Sequence, residues 1–325
     1  MLNTRRAWLA SGCLWLALLA VGVAFAVARP DGDLTQAFRA VRWAAVAVVL
    51  PVQALSIALC AFALRLFRPG ASYLASVYSR WLRDAGGNLF VFAPGFGEIA
   101  GARTLTLMGA TAVASISASA MDIAAESLAQ IPYALFALTI VPPMALSPAR
   151  HAWLWWASGL GLAIAIAISL WAVRRDGVAR RLQPLLIPAM RWLAELRGAF
   201  RIRRRAMPAA TLLHLAAWAT GGVQVWLATL VLGWHVSFLH AVALESLVYA
   251  ARAALFFVPA GLGVQEAGFI GGGLLLGIPP SQALALSLIL RVRDILIGAP
   301  ALAAWPVIET ARRSLGPHAV RRTQG

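Results

Sequence analysis

The sequence predicts an all-α, polytopic integral membrane protein of eight to ten membrane segments, built as two related halves with interrupted or re-entrant helices. Three observations lead there. The 325-residue chain is 61% hydrophobic and only 12% charged, with a mean hydropathy of +0.78. Soluble domains sit nearer half apolar and a quarter charged, so this chain has too few polar side chains to cover a water-facing surface. Its apolar residues fall largely into runs of about 20, the length a helix needs to cross a hydrocarbon core. Two apolar regions are broken by Pro and Gly next to an acid, at Pro94–Glu98 and Pro259–Glu266.

Trp8–Val27 is the first span, preceded by Arg5 and Arg6. Ala24-Phe25-Ala26 resembles a signal-peptidase site, but the apolar run exceeds the roughly 7–15 residues of a signal h-region, so an uncleaved anchor is expected. Trp43–Leu64 follows, closed by Arg65 and Arg68. Joined by the turn Arg29–Asp33, the two make an N-terminal transmembrane hairpin over residues 1–70 with both ends cytoplasmic. Residues 71–173 form a first half. There Ala71–Phe92 carries Arg80, Arg83 and Asp84 and reads as broken at Gly86-Gly87-Asn88, with Pro94, Gly95, Gly97 and Glu98 next. Further segments run near 103–120, 123–141 and 153–173, where Pro132 and Pro142-Pro143 are expected to kink or end helices.

Residues 174–208 form a basic cytoplasmic loop, with ten Arg between Arg174 and Arg205 against Asp176 and Glu195. Leu182, Leu186, Met190, Leu193 and Phe200 recur at roughly helical spacing. They fit either a helix lying on an anionic inner leaflet or a solvated orienting loop. Arg201, Arg203, Arg204 and Arg205 are the candidate contacts to anionic lipid. All 28 basic residues are Arg, and the formal charge is +16. Nucleic acid is excluded as a partner, because these arginines gather in short stretches between apolar spans, the pattern that orients helices in a membrane.

The second half, 209–310, holds the segments 211–232, 236–258, 264–278 and 281–305. Val264–Ile278 is too short to cross as a straight helix and is expected to be a half-helix. The tail 311–325, with Arg312, Arg313, Arg321 and Arg322, is expected to be cytoplasmic. The halves can be aligned on their acids. With Glu98 on Glu266, Gly109 falls on Gly277 and Glu126 on Asp294; the stretch between Pro and Glu is three residues longer in the second half. Interrupted helices in corresponding positions point to a midplane binding site in transporters. Asn88, Pro94, Gly97, Glu98, Pro259, Gly261, Gly263 and Glu266 are therefore the candidate lipid-binding residues, with both acids bordering one water-accessible chamber.

Other charges inside apolar segments must face inward and find partners, since each costs a few kcal/mol near a bilayer centre. Glu245 and Arg252 are two turns apart on one face, Arg291 and Asp294 are three apart and can pair, and Asp122 and Glu126 are a like-charged pair that needs an Arg from elsewhere or a proton. For these pairs the alternative to a polar pathway is a structural role in fixing helix register. His214 and His240 are placed near helix ends and given no role, and the Trp residues near segment ends fit headgroup-level anchoring. No Walker loop, no His/Cys metal spacing and no GxSxG setting occurs. No cofactor, metal or catalytic residue is expected, and no extramembrane stretch approaches the size of a catalytic domain.

Pro259-Ala260-Gly261-Leu262-Gly263-Val264-Gln265-Glu266-Ala267-Gly268, followed by Gly277 to Asp294, resembles the second conserved block of the lysylphosphatidylglycerol synthase transmembrane-region family. Asn88, Pro94, Gly97 and Glu98 resemble its earlier block. The resemblance covers roughly residues 40–310. Where the family usually carries an Arg in the first half, this chain has Ile123, within Met121–Ser127. That departure, with the wording around Pro259, is most similar to the hopanoid-associated HpnL-like branch. The resemblance implies an inner-membrane, flippase-like lipid handler without the soluble aminoacyltransferase domain, and hence not an enzyme. It implies a hopanoid, a related isoprenoid lipid or an anionic phospholipid as partner. Two alternatives stand beside lipid translocation: a non-transporting scaffold that docks lipid-biosynthetic enzymes, and a membrane-embedded enzyme acting on an isoprenoid lipid.

Overall fold

The computed structural model describes residues 41–68, 70–89, 95–141, 198, 203–255 and 258–314. Among them are eight α-helices and no strand: α1 (Trp43–Leu66), α2 (Tyr73–Leu89), α3 (Phe96–Leu107), α4 (Ala112–Ile140), α5 (Met207–Val231), α6 (Phe238–Ala254), α7 (Val264–Leu275) and α8 (Pro280–Ser314). Short 3-10 turns at Arg204–Ala206 and Pro259–Gly261 precede α5 and α7. The span Trp8–Val27, the segment 153–173, most of the basic loop with Arg201, Pro94, and Arg321 and Arg322 of the tail lie outside the described residues. By length and composition, α1 and α4 can each cross a bilayer.

Helix bounds recur along the chain. A displacement of 168 residues carries Phe96–Leu107 onto Val264–Leu275 and Ala112 onto Pro280. A displacement of 165 carries Tyr73–Leu89 onto Phe238–Ala254, and brings Trp43–Leu66 to within one residue of the bounds of α5. The three extra residues fall in the connection between α6 and α7, where the Pro259–Gly261 turn lies. Gly95 (φ 79°) and Gly263 (φ 77°) are the N-caps of α3 and α7. Both need a left-handed conformation that a side chain would strain.

Packing follows the same exchange. α1 lies against α5; α2 packs on α3 and α8, as α6 packs on α7 and α4; α4 also covers α5, as α8 covers α1. The recurring unit therefore begins at α1, one helix earlier than the boundary expected at residue 71. Alignment from the acids and glycines could not reach α1 and α5, which carry none of those markers.

Three helix bounds also differ from expectation. α2 continues through Gly86-Gly87-Asn88. Gly86 there is a contact point, since a Cβ on it would lie 2.7 Å from the Gly97 Cα. α3 stops at Leu107 instead of near residue 120, and α4 runs unbroken through Pro132. Membrane helices tolerate such a proline because neighbouring groups re-satisfy the freed backbone.

In lipid an apolar side chain gains little by leaving hydrocarbon, so close packing of small residues decides how helices associate. A Cβ on Gly97 would lie 2.2 Å from the Arg83 carbonyl oxygen, and one on Gly222 would lie 2.5 Å from Val242 Cγ2. These contacts set the α2–α3 and α5–α6 crossings. Val46, Val49, Val225, Leu244, Phe269, Leu286 and Ile289 fill the seam where the two halves meet.

Candidate functional site

In the first half, helical spacing puts Arg80, Arg83 and Asp84 on one face of α2, and Asp122 and Glu126 on one face of α4. The two faces meet. Arg80 bonds Glu126 at 2.6 and 3.0 Å and pairs with Asp84 at 2.9 Å. Arg83 bonds Asp122 at 2.9 Å and Glu126 at 2.7 Å. His214 of α5, fully buried, places Nε2 2.8 Å from Asp122 Oδ1. Asp122 and Glu126 thus obtain the arginines they require, and α2 supplies them. Glu98, in the first turn of α3, touches this lattice only through a long contact. Its nearest cation is Arg83 at 3.7 Å, beyond hydrogen-bond reach, and its side chain is 43% exposed.

The second half holds its acid differently. Glu266 Oε2 accepts the Gly263 N–H at 2.8 Å, closing a capping box at the start of α7. Its Oε1 accepts from Arg291 Nε at 2.9 Å. Arg291 also donates to the carbonyls of Ala260 and Gly261 at 2.9 Å each, so one guanidinium satisfies the broken backbone and the acid together. The 168-residue displacement that joins Glu98 to Glu266 joins Ile123 to Arg291. Where α8 offers a guanidinium, α4 offers a hydrocarbon side chain.

A cavity of about 220 Å³ opens at the seam. Gln53 of α1, Asn88 of α2, Glu98 of α3, Glu126 of α4, Trp218 of α5, Tyr249 and Arg252 of α6 and Arg293 of α8 line it, so both halves contribute. Trp218 and Tyr249 stand edge to face with ring centroids 4.2 Å apart. Arg293 is held by Asp294 at 2.7 Å and donates to Gln224, whose amide in turn donates to Gln53 at 3.1 Å. Amides and paired charges therefore continue across the α1–α5 contact. An open, largely polar chamber of this kind can receive a hydrated or charged group while the surrounding apolar helices face lipid.

Several expected placements change. Glu266 is not among the residues lining the cavity, so the two acids do not border one chamber; Arg291 and the Gly263 amide hold Glu266 at the helix break. Arg291 turns to Glu266 rather than to Asp294, and Asp294 takes its own neighbour Arg293. The break at Pro259–Gly263 delivers two carbonyls as well as an acid to Arg291, a combination Asp294 does not match. Glu245 and Arg252 do not come within ion-pair distance of each other among the described residues. Glu245 is buried with Oε2 lacking a hydrogen-bond partner, and Arg252 donates to Asn88 and Gln265. Gly97 is a helix-contact residue, Gly261 packs beneath Arg252, and Gly263 is a cap. Arg203, Arg204 and Arg205 lead into α5 with Arg204 and Arg205 exposed. His214 is a buried member of the charge lattice, not a residue of a helix end. Sequence reasoning gave no site role to Arg80, Arg83, Asp84, Gln53, Gln224, Trp218 or Tyr249. The Arg80-x-x-Arg83-Asp84 cluster within an otherwise apolar stretch was the available signal.

A family model described as the lysylphosphatidylglycerol synthase TM region matches residues 13–300, a range that takes in both helix breaks and every lining residue of the cavity. No curated protein and no solved structure matches the chain. Helical in all its described elements, two of them long and apolar enough to cross a bilayer, and matched over most of its length, the chain belongs to the lysylphosphatidylglycerol synthase transmembrane-region family.

Proposed function

We propose that this protein translocates or hands over a lipid in the bacterial inner membrane, as a multi-pass protein with both termini in the cytoplasm. The family points to a membrane protein of lipid metabolism or transfer. The observation that carries the finer reading is the polar cavity lined from both halves of a repeated helical unit. Charged groups are costly within a bilayer and are kept where they serve a pathway or a fixed lattice. Here the lattice accounts for Arg80, Arg83, Asp122 and Glu126, and leaves Glu98 loosely held at the chamber wall. In this reading the halves rock or gate about the seam. The headgroup enters the chamber, the tails remain in lipid, and Glu98 provides headgroup contact or proton coupling. The protein acts as a carrier and not as an enzyme. The resemblance to the HpnL-like branch supports a hopanoid or related isoprenoid lipid among the cargoes, with lipid-biosynthetic enzymes as neighbours in the membrane.

The test is purified full-length protein in liposomes carrying labelled lipid. Exchange between leaflets above that of empty liposomes supports the proposal. Chemical conversion of the lipid supports the enzyme alternative. Neither exchange nor conversion by folded protein leaves the scaffold reading and overturns this one.

A further inference from the structure

We propose that Glu245 of α6 is a proton-binding site that couples lipid transfer to the proton gradient across the membrane. The inference rests on the lipid-transfer reading and adds its energy source. Glu245 is 3% exposed, has no ion-pair partner among the described residues, and its Oε2 lacks a hydrogen bond. The repeat accounts for this. The displacement of 165 residues carries Arg80 onto Glu245, and that of 168 carries Glu126 onto Asp294. The Arg80–Glu126 pair of the first half, closed at 2.6 Å, therefore has two carboxylates as its counterpart in the second. Arg293 serves one of them, Asp294 at 2.7 Å, and also donates to Gln224. Arg252 donates to Asn88 and Gln265. Glu245 is the acid left over.

A carboxylate buried without a partner is far costlier than the neutral acid, so in this arrangement the group carries a proton. Its neighbours give it a way to lose that proton. The charged groups that face it are Arg252 of α6 and Arg293 and Asp294 of α8; the hydroxyls are those of Tyr249 on α6 and Tyr133 on α4. α7 meets α6 through Gly268 and Gly272, against Val248 and Leu244. α5 presents backbone, since a Cβ on Gly221 would lie 2.9 Å from Glu245 Cγ. Glu245 is thus wedged at the α5–α6 crossing, and α5 packs on α1 of the first half. Tyr249, one turn along the same face, lines the chamber, as do Arg252 and Arg293. A small shift of the halves at this crossing brings a guanidinium to Glu245. The O–H bond breaks, the proton passes to water in the chamber, and the carboxylate that remains forms an ion pair. The return shift parts the pair, and the carboxylate takes a proton from hydronium on the side the chamber then faces. This division leaves Glu98 the headgroup contact.

Infrared spectroscopy of the full-length protein in detergent reads the site without any cargo. Wild type at neutral pH is expected to show the C=O stretch of a protonated carboxylic acid that moves down in D2O and is absent from Glu245→Gln. No such band, the same band in the variant, or a band indifferent to D2O overturns the proposal. Coupling is read in proteoliposomes carrying fluorescent-tailed phosphatidylethanolamine, with the electrical potential clamped, a pH difference of one unit and empty liposomes as the control. One proton per lipid is expected to enrich the label about tenfold in one leaflet, since one unit is worth about 1.4 kcal/mol, and reversing the gradient reverses the leaflet. Glu245→Gln, neutral like the protonated acid, is expected to keep the unfolding midpoint and the exchange but to distribute the label evenly. Enrichment retained in this variant, or even distribution by wild type, overturns the coupling while leaving lipid transfer standing. If the variant alone moves no lipid, the infrared band decides. If folded wild type moves none, the lipid-transfer reading fails, and the proton site stands or falls on that band.

Discussion

Glu98 and Glu266 occupy the same place in two helices of equal length, α3 and α7, each begun by a left-handed glycine. Their surroundings differ. Glu266 is tied at both oxygens, by the Gly263 N–H and by Arg291, which also holds the carbonyls of the helix break. Glu98 has no hydrogen bond among the described residues and only a distant Arg83. The difference traces to one residue of the repeat, Ile123 in place of the arginine at 291. The contact beneath the helices differs too. Gly97 lets α3 press onto α2, whereas the equivalent Gln265 reaches Ser287 and Arg252. One half has stiffened its break with charge and amide bonds. The other has closed its helix crossing and left its acid with a long, exposed pair to Arg83.

The strongest way to break this comparison is to remove an arginine from the lattice of the first half. Arg80→Ala leaves buried Asp122 and partly buried Glu126 undercompensated and is expected to cost about 3–5 kcal/mol, read as a lower unfolding midpoint in detergent. Gly97→Ala drives a methyl into the Arg83 carbonyl and is expected to cost about 3 kcal/mol, near the upper end of overpacking effects. Gly271→Ala, on α7 with nothing within 4 Å, is the control and is expected to stabilise by about 0.5–1 kcal/mol. Glu266→Gln loses the charged arm of a capping box and a partly exposed ion pair, and is expected to cost about 1 kcal/mol. Glu98→Gln is expected to stay within about 0.5 kcal/mol of wild type, as its pair is long and exposed. Ile123→Arg sharpens the comparison by offering Glu98 the partner Glu266 has. Its expected effect on stability is below about 1 kcal/mol, and transfer should slow by several-fold as the acid is captured.

Much of this architecture was legible in the chain. Apolar runs gave most helices, the shortness of Val264–Ile278 gave the short helix α7, and the alignment of Glu98 with Glu266 gave the register in which α3 and α7 coincide. The need of Asp122 and Glu126 for arginine was legible as well, because two like charges four residues apart in an apolar helix demand a counter-ion. The source of that counter-ion was not, since Arg80 and Arg83 are some forty residues away and only the fold brings them near. Gly86-Gly87 misled for a related reason. Glycine signals a break or a close helix contact equally well, and the choice depends on the neighbour, here Gly97. Arg291 had two acids within reach; the carbonyls freed at Ala260 and Gly261 decided for Glu266, and those exist only once the chain has turned.

The central claim is that the chamber between the halves works through the loosely paired acid and not the tied one. It is tested most directly by lipid exchange in proteoliposomes for Glu98→Gln and Glu266→Gln, each verified as folded by its unfolding midpoint. The account predicts at least a tenfold loss of exchange in Glu98→Gln and a change below about twofold in Glu266→Gln. Wild-type exchange in Glu98→Gln, or a larger loss in Glu266→Gln, would contradict it.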